Sequence, residues 1–200
     1  MAGGSTDIPD VPVVIISGPS GSGKSTIVNR LIRVCPVRLY KCVSATTRPP
    51  RPGEVDGEDY YFLTPEEFER RRQAGAFLEC EQVHNLGHWY GTLIDELRKA
   101  RQQKAIPVLE IDVQGAVKVR RRVPRVLSFF VRTPSDREYA DRLRQRNTDA
   151  PEVIEKRLKT ALEELKLADR YDYQIVNDDL DRAVSEIAER IAQWEGRGIA

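Results

Sequence analysis

The chain has 200 residues, 40% of them hydrophobic, which is enough for one well-packed core with small excursions but not for two large independent domains. Lys and Arg total 32 against 31 Asp and Glu, so the net charge of +1 gives no general attraction to nucleic acid or to an anionic membrane. The three cysteines form no CxxC pair, and no run approaches the roughly 18 apolar residues of a membrane span. We expect a cytoplasmic protein with a flexible leader at residues 1–10 and a single domain at residues 11–200.

The first predicted elements are a strand, a Gly-rich loop and a helix. Residues 13–16 are a continuous apolar run, typical of a strand that is buried on both faces. From Lys24 onward an apolar stripe at helical spacing predicts a helix that ends near Cys35.

The second half of the chain alternates between short apolar runs and helical patterns. The predicted strands lie within residues 104–112, 125–133 and 172–178. The predicted helices cover residues 113–123, 135–146, 151–168 and 180–194. This alternation predicts an α/β fold in which a parallel sheet is covered by helices.

Two segments interrupt the alternation. Residues 44–103 begin with a stretch rich in Pro, Gly and charge, continue through a short helix at residues 64–74, and become strand-like, which predicts an inserted mixed α/β lobe. Residues 134–157 carry five arginines and are predicted to form a helical lid. The remaining ranges, 11–43, 104–133 and 158–200, are predicted to form the core.

The Gly-rich loop has the phosphate-binding signature GxxxxGK[ST], written here as GPSGSGKS from Gly18 to Ser25. In such loops backbone N–H groups and the helix N-terminus hold phosphates, the Lys reaches the β- and γ-phosphates, and the Ser hydroxyl binds Mg²⁺. The predicted ATP-binding residues of this segment are Gly18, Pro19, Ser20, Gly21, Ser22, Gly23, Lys24, Ser25 and Thr26. The signature occurs in many unrelated enzymes, so by itself it specifies no phosphate acceptor.

A second set of anion-binding side chains lies in the predicted lobe. Arg48 and Arg51 are three residues apart, and Tyr60 and Tyr90 follow them along the chain. Two guanidinium groups and two phenols can surround the oxygens of a monophosphate. The alternative is a pair of solvated arginines on a Pro-rich surface turn.

Several further motifs resemble those of guanylate kinase. They are SATTRPPRPGEVDGEDYYF at residues 44–62, FLE at 77–79, YGT at 90–92, EIDVQGA at 110–116 and VNDDL at 176–180. Their order and spacing extend the resemblance from about residue 11 to about residue 195. The resemblance implies a P-loop-type sheet, a GMP-binding lobe and a lid.

The resemblance also implies roles for individual residues. Ser44, Glu79 and Thr92 are expected to contact guanine, because a carboxylate accepts from N1–H and the exocyclic amine and a hydroxyl donates to O6. Glu110, in place of the family's more usual Asp, is assigned to GMP binding as well. The full predicted GMP-binding set is Ser44, Arg48, Arg51, Tyr60, Glu79, Tyr90, Thr92 and Glu110.

The remaining predicted roles concern the metal, catalysis and adenine. Ser25 and Asp112 are expected to hold Mg²⁺, the latter through water. The alternative for Asp112 is that it only caps the next helix. Asn177 is expected to border the adenine of ATP. The predicted catalytic residues are Lys24, Arg48, Arg142, Arg146 and Arg157, the last three from the lid.

The implied activity is Mg²⁺-dependent transfer of the ATP γ-phosphate to GMP, giving ADP and GDP. The lobe and lid are expected to close over both substrates and to exclude water. The alternatives are a catalytically silent scaffold module of the same fold, or a kinase for another phosphorylated acceptor such as a ribose bisphosphate. The sequence leaves the oligomeric state open.

Overall fold

The computed structural model describes residues 7–82, 87–145 and 151–196. In chain order the helices and strands are β1 (Val13–Ser17), α1 (Lys24–Val34), β2 (Leu39–Lys41), β3 (Ser44–Thr46), β4 (Tyr61–Phe62), α2 (Pro65–Gln73), β5 (Phe77–Gln82), β6 (Trp89–Leu93), α3 (Ile94–Gln102), β7 (Ile106–Glu110), α4 (Val113–Arg122), β8 (Val126–Arg132), α5 (Asp136–Gln145), α6 (Pro151–Leu165), β9 (Tyr173–Val176) and α7 (Leu180–Gly196). A short 3-10 helix, Ala168–Arg170, lies between α6 and β9.

The larger sheet has five parallel strands in the order β2-β7-β1-β8-β9. The four apolar runs predicted as strands are all in this sheet, and the predicted α/β class is confirmed. In the register, Ile16 of β1 pairs with Glu110 of β7, and Ser17 pairs with Phe130 of β8. The residues that follow these strands therefore meet at one edge of the sheet, where parallel α/β folds bind ligands.

Helices cover both faces of the larger sheet. Val14 and Ile16 pack with α1 and α7 on one face, whereas Val13 and Ile15 pack with α3 and α4 on the other. All four side chains are completely buried. This two-sided burial explains why β1 is a continuous apolar run and not an alternating one.

Residues 44–93 form a second, mixed sheet in the order β4-β3-β6-β5. Phe68 of α2 stacks on Phe77 of β5, with 4.4 Å between ring centroids, and both belong to a separate apolar cluster. The Thr64 side chain caps α2 by accepting from the Glu67 N–H. The sheet lies within the range predicted as an inserted lobe, and the exact boundaries of that lobe stay a prediction.

A buried carboxylate joins the two sheets. Glu96 of α3 is fully buried, and its Oε2 accepts from the Val43 N–H at 2.8 Å and from the Tyr40 hydroxyl at 3.1 Å. Its Oε1 accepts from the Tyr61 hydroxyl at 3.0 Å and from Lys99 at 2.7 Å. The bonds tie the segment between β2 and β3 to β4, so Glu96 fixes the junction where the chain passes from one sheet to the other.

Helices α5 and α6 lie where helices were predicted. Tyr139 of α5 is buried, and its hydroxyl accepts from the Thr133 N–H at 3.0 Å, which attaches the start of α5 to the end of β8. Within the residues that the structure describes, none of the helices has the length and apolar character needed to cross a membrane.

Candidate active site

A cavity of about 200 Å³ lies between the carboxyl edge of the larger sheet and the smaller sheet. Its walls include residues that the sequence assigned to both nucleotides. Those lining it are Gly18, Ser20, Gly21, Gly23, Lys24, Ser25, Ser44, Arg48, Arg51, Tyr60, Glu79, Tyr90, Glu110 and Asp112. Residues separated by more than 80 positions are thereby brought to one space.

The phosphate loop connects β1 to α1 at this edge. Gly18 has a φ of 136°, and a Cβ added there would lie 2.1 Å from the Val131 carbonyl oxygen, so only glycine fits. The Lys24 ammonium donates to the carbonyls of Gly18 at 2.7 Å and Pro19 at 3.0 Å. Because α1 begins at Lys24, the positive end of its dipole faces the cavity.

Asn177, which follows β9, supports the phosphate loop. The Asn177 side chain donates to the Ser22 carbonyl at 2.8 Å, and its backbone N–H donates to Arg132 at 2.8 Å. The Ser22 hydroxyl is buried and has no hydrogen-bond partner among the described residues. Asn177 thus braces the loop from β9, while its predicted contact with adenine stays a prediction. Thr26, also predicted to bind ATP, lies exposed in the first turn of α1.

Ser25 and Glu110 contact each other directly. The Ser25 hydroxyl donates to Glu110 Oε1 at 2.5 Å, across the gap between α1 and the end of β7. Burial, together with the charge of the Glu110 carboxylate, raises the pKa of the Tyr60 phenol to about 12. Glu110 therefore lies where the phosphate loop meets the tyrosine of the lobe, although the sequence assigned Ser25 and Glu110 to different ligands.

The three residues predicted to contact guanine form a row across the smaller sheet. Ser44 of β3 and Glu79 of β5 both pair with Thr92 of β6, and opposite residues on paired strands share a face. Glu79 Oε1 accepts from the Thr92 N–H at 2.9 Å and from the Thr92 hydroxyl at 2.8 Å. Burial raises the pKa of Glu79 to about 7, because desolvation and the Asp112 charge outweigh the two hydrogen bonds.

Asp112 caps α4, since its Oδ1 accepts from the Gly115 N–H at 2.7 Å. It also lies beside Glu79: a Cβ placed on Gly115 would be 2.9 Å from Glu79 Oε2 and 3.5 Å from Asp112 Oδ1. Burial raises the pKa of Asp112 above its ordinary value. The two acids of the EID segment thus have different neighbours, Glu110 the Ser25 hydroxyl and Asp112 the Glu79 carboxyl.

The side chains of Arg48, Tyr60 and Tyr90 form one cluster in the lobe. The Arg48 guanidinium lies 5.5 Å from the Tyr60 ring centroid, and the Tyr60 and Tyr90 rings are 5.9 Å apart. Glu54 binds Arg48 at 2.8 Å and accepts from the Arg51 N–H at 2.6 Å. Sequence reasoning missed Glu54, although it stands within the TTRPPRPGE stretch. This carboxylate orders the turn that carries both arginines.

Glu164 of α6 is a second residue that sequence reasoning missed. It lines the same cavity, and its Oε2 is buried without a donor among the described residues. Burial raises its pKa to about 7, and the nearby Lys24 ammonium opposes that rise. No motif in the sequence marked this position, since it lies in an ordinary amphipathic helix.

The predicted lid arginines lie outside what the structure describes. Arg142 and Arg157 fall within α5 and α6, but their side chains are not among the described groups, and neither is any part of Arg146. Their catalytic role stays a prediction.

Comparisons with known proteins agree on one family. A family model described as guanylate kinase matches residues 11–194. The chain is 48% identical over 178 residues to a guanylate kinase from Rhodopirellula baltica, with 88% of this chain and 85% of that protein covered. It is 50% identical over 179 residues to a guanylate kinase from Gloeobacter violaceus, at 90% and 85% coverage. Among solved structures, a guanylate kinase from Anaplasma phagocytophilum has a TM-score of 0.73 and 33% identity, covering 94% of this chain and 88% of that one.

Proposed function

We propose that this chain, which belongs to the guanylate kinase family, transfers the γ-phosphate of ATP to GMP and releases ADP and GDP. The observation that carries the proposal is the single cavity shared by the phosphate loop and by the row of Ser44 and Glu79. A phosphoryl transferase needs donor and acceptor in line within one space.

The phosphate loop supports the donor side of the proposal. The left-handed glycines at Gly21 and Gly23 turn the backbone, and the α1 dipole favours negative charge there. The Lys24 ammonium, now bonded to carbonyls of the loop, is placed to neutralise charge on the transferring phosphoryl group.

The smaller sheet supports the acceptor side. Glu79 is 7% exposed, so a purine without N1–H and exocyclic amine donors would leave a buried carboxylate unpaired. Arg48 and Tyr60 would hold the acceptor phosphate. Tyr60 lies near enough to Glu110 for the carboxylate charge to raise the pKa of its phenol. In this arrangement the base lies at Glu79 and the phosphate lies towards Glu110. The GMP phosphate therefore points at the phosphate loop.

The donor set suits a magnesium ion. Ser25 and Glu110 present a hydroxyl and a carboxylate 2.5 Å apart, both hard oxygen ligands of the kind that Mg²⁺ prefers beside nucleotide phosphates. We therefore assign the metal to Ser25 and Glu110, and Asp112 with its neighbour Glu79 to the base. Bound there, the ion would neutralise charge on the β- and γ-phosphates.

Label transfer tests the reaction itself. With ATP labelled in its γ-phosphate and with GMP present, the label is expected to appear in GDP in a one-to-one ratio with the ADP formed. Release of the label as inorganic phosphate, at the same rate with and without GMP, would identify a hydrolase and contradict the proposal.

GMP use is expected to weaken at low pH. The pKa of Glu79 is about 7, and a protonated carboxyl cannot accept from both guanine donors. The KM for GMP should therefore rise about tenfold from about pH 8 to about pH 6, with the KM for ATP changing much less. The charged neighbours of Glu79 are Asp112, which raises its pKa, and Lys118, which lowers it.

The matched control for this pH dependence is Glu79→Gln, which has no titrating group at that position. The phosphate of GMP itself titrates near pH 6, so it contributes equally to the pH dependence of the KM in both proteins. The additional slope should disappear in the variant, whereas identical pH profiles would show that Glu79 does not control GMP binding.

A further inference from the structure

Helix α4 holds the strand that carries Glu79. Its residues Gly115, Lys118 and Arg122 are three and four positions apart and so share one face of the helix. Lys118 and Arg122 donate to carbonyls of β5, and a Cβ added to Gly115 would meet the Glu79 side chain of that strand. Neither Lys118 nor Arg122 belongs to the phosphate loop, the cavity lining or the predicted site.

Arg122 holds the strand immediately before Glu79. Its guanidinium donates to the Phe77 carbonyl at 2.8 Å and also to the Leu78 carbonyl. The register of β5 against β6 shifts between Phe77 and Glu79, which makes Leu78 the irregular residue of the pair. The Leu78 side chain is fully buried in the apolar cluster of α3 and α4.

Lys118 holds the strand immediately after Glu79. Its ammonium donates to the Cys80 carbonyl at 2.7 Å and forms an ion pair with Glu81. The backbone is therefore bound to α4 at the residue before Glu79 and at the residue after it. At a bulge, where ladder pairing is disrupted, such external bonds decide the direction in which the side chain points.

Gly115 leaves room for the carboxyl group itself. A Cβ at this position would lie 2.9 Å from Glu79 Oε2, closer than real Cβ contacts allow. On the other side, Oε1 is bonded to Thr92. One face of α4 thus binds the backbone on both sides of Glu79 and also borders the Glu79 Oε2 atom.

We propose that Lys118 and Arg122 are positioning residues for base recognition, which keep the Glu79 carboxyl aimed at the guanine edge by fixing the β5 carbonyls around the bulge. The proposal rests on the proposed function, in which Glu79 accepts from guanine. Since α4 follows directly from Asp112, the same helix aligns both carboxyls of the base subsite.

The test is steady-state kinetics on the full chain with GMP and with inosine monophosphate, which lacks the exocyclic amine. Arg122→Ala should raise the KM for GMP about five- to tenfold, the effect expected for losing hydrogen bonds of about 1 kcal/mol or slightly more. The preference for GMP over inosine monophosphate should fall by a similar factor. The kcat and the KM for ATP should stay within about twofold.

Three variants accompany Arg122→Ala. Arg121→Ala is the matched control, because Arg121 is the exposed neighbour on the same helix and makes no hydrogen bond or ion pair among the described residues. Arg122→Lys keeps a cation that can reach one carbonyl and should restore part of the selectivity. Lys118→Met keeps the apolar stem without the donor and should act in the same direction as Arg122→Ala. The last two variants also decide the question if Arg122→Ala fails to fold.

Glu79→Ala, measured in parallel, separates the two levels of the proposal. If Glu79→Ala impairs GMP use while Arg122→Ala and Lys118→Met match Arg121→Ala, the positioning role is wrong and the base-recognition role stands. If Glu79→Ala itself leaves GMP use unchanged, base recognition by Glu79 is wrong and the positioning role fails with it.

Discussion

Lys24→Ala is expected to lower kcat for phosphoryl transfer to GMP by about 10²–10³-fold. Transfer of a phosphoryl group depends on positive charge placed around it, and deleting one preorganised donor typically costs 10²–10³-fold. Lys24 lies at the start of α1 with its ammonium in the loop that would surround the phosphates. The measurement is the initial rate of GDP formation at saturating ATP and GMP.

The matched control for Lys24 is Lys41→Ala. Lys41 ends β2, is bonded to Asn29 at 3.2 Å, and does not line the cavity. It should retain nearly full activity, and both variants should still bind GMP in a titration calorimeter. Retention of more than about a tenth of the activity in Lys24→Ala would contradict its proposed role.

Glu79→Ala is expected to reduce kcat/KM for GMP by about 10²–10³-fold, with little change in the binding of ATP. The variant loses a charged acceptor for two guanine donors in a buried site, and each such bond is worth about 1.5–3 kcal/mol. It also leaves the Thr92 N–H and hydroxyl without their present acceptor, so its melting temperature must be measured beside its kinetics.

Two comparisons isolate the effect at Glu79. Glu66→Ala removes an exposed acid from α2 of the same lobe and should behave as the unaltered protein. Glu79→Gln keeps the side-chain shape and one acceptor, and should lose GMP selectivity with a smaller loss of stability. Full selectivity for GMP in Glu79→Ala would remove the basis for placing guanine at this end of the cavity.

The sequence predicted the elements whose pattern is long or unbroken. The apolar run of β1 and the helical stripe of α1 indicated their structure correctly, because two-sided burial and amphipathicity leave direct marks on residue order. β2 is only three residues long and carries no run, so it went unpredicted. α3 was missed for a related reason: nine residues, five of them charged, obscure the stripe of Ile94, Leu97 and Ala100.

In the site, the sequence could group residues by motif but could not say which of them touch. Glu110 and Asp112 are two positions apart, yet one is bonded to Ser25 and the other lies beside Glu79. That division depends on where β7 ends and α4 begins relative to β5, which is a property of the packed fold. The metal and base roles that we propose for these two acids are accordingly the reverse of those that the sequence suggested.

Contacts between elements that are distant in sequence could not be predicted either. Glu164 reaches the cavity from α6, and Arg122 reaches β5 from a helix 45 positions further along the chain. Neither residue belongs to a recognisable motif, and their neighbours depend on tertiary packing. The motif residues of the phosphate loop, by contrast, act through local backbone geometry, which the sequence specifies directly.

GMP-specific phosphoryl transfer can be measured as ADP formation from Mg-ATP in a coupled assay, run separately with GMP, AMP, CMP, UMP and no acceptor. We expect rapid turnover with GMP and rates lower by several orders of magnitude under the other four conditions. Equal turnover with AMP and GMP would contradict base selection by the smaller sheet. If no ADP forms with any acceptor in a protein that still binds GMP, the proposed kinase activity is wrong.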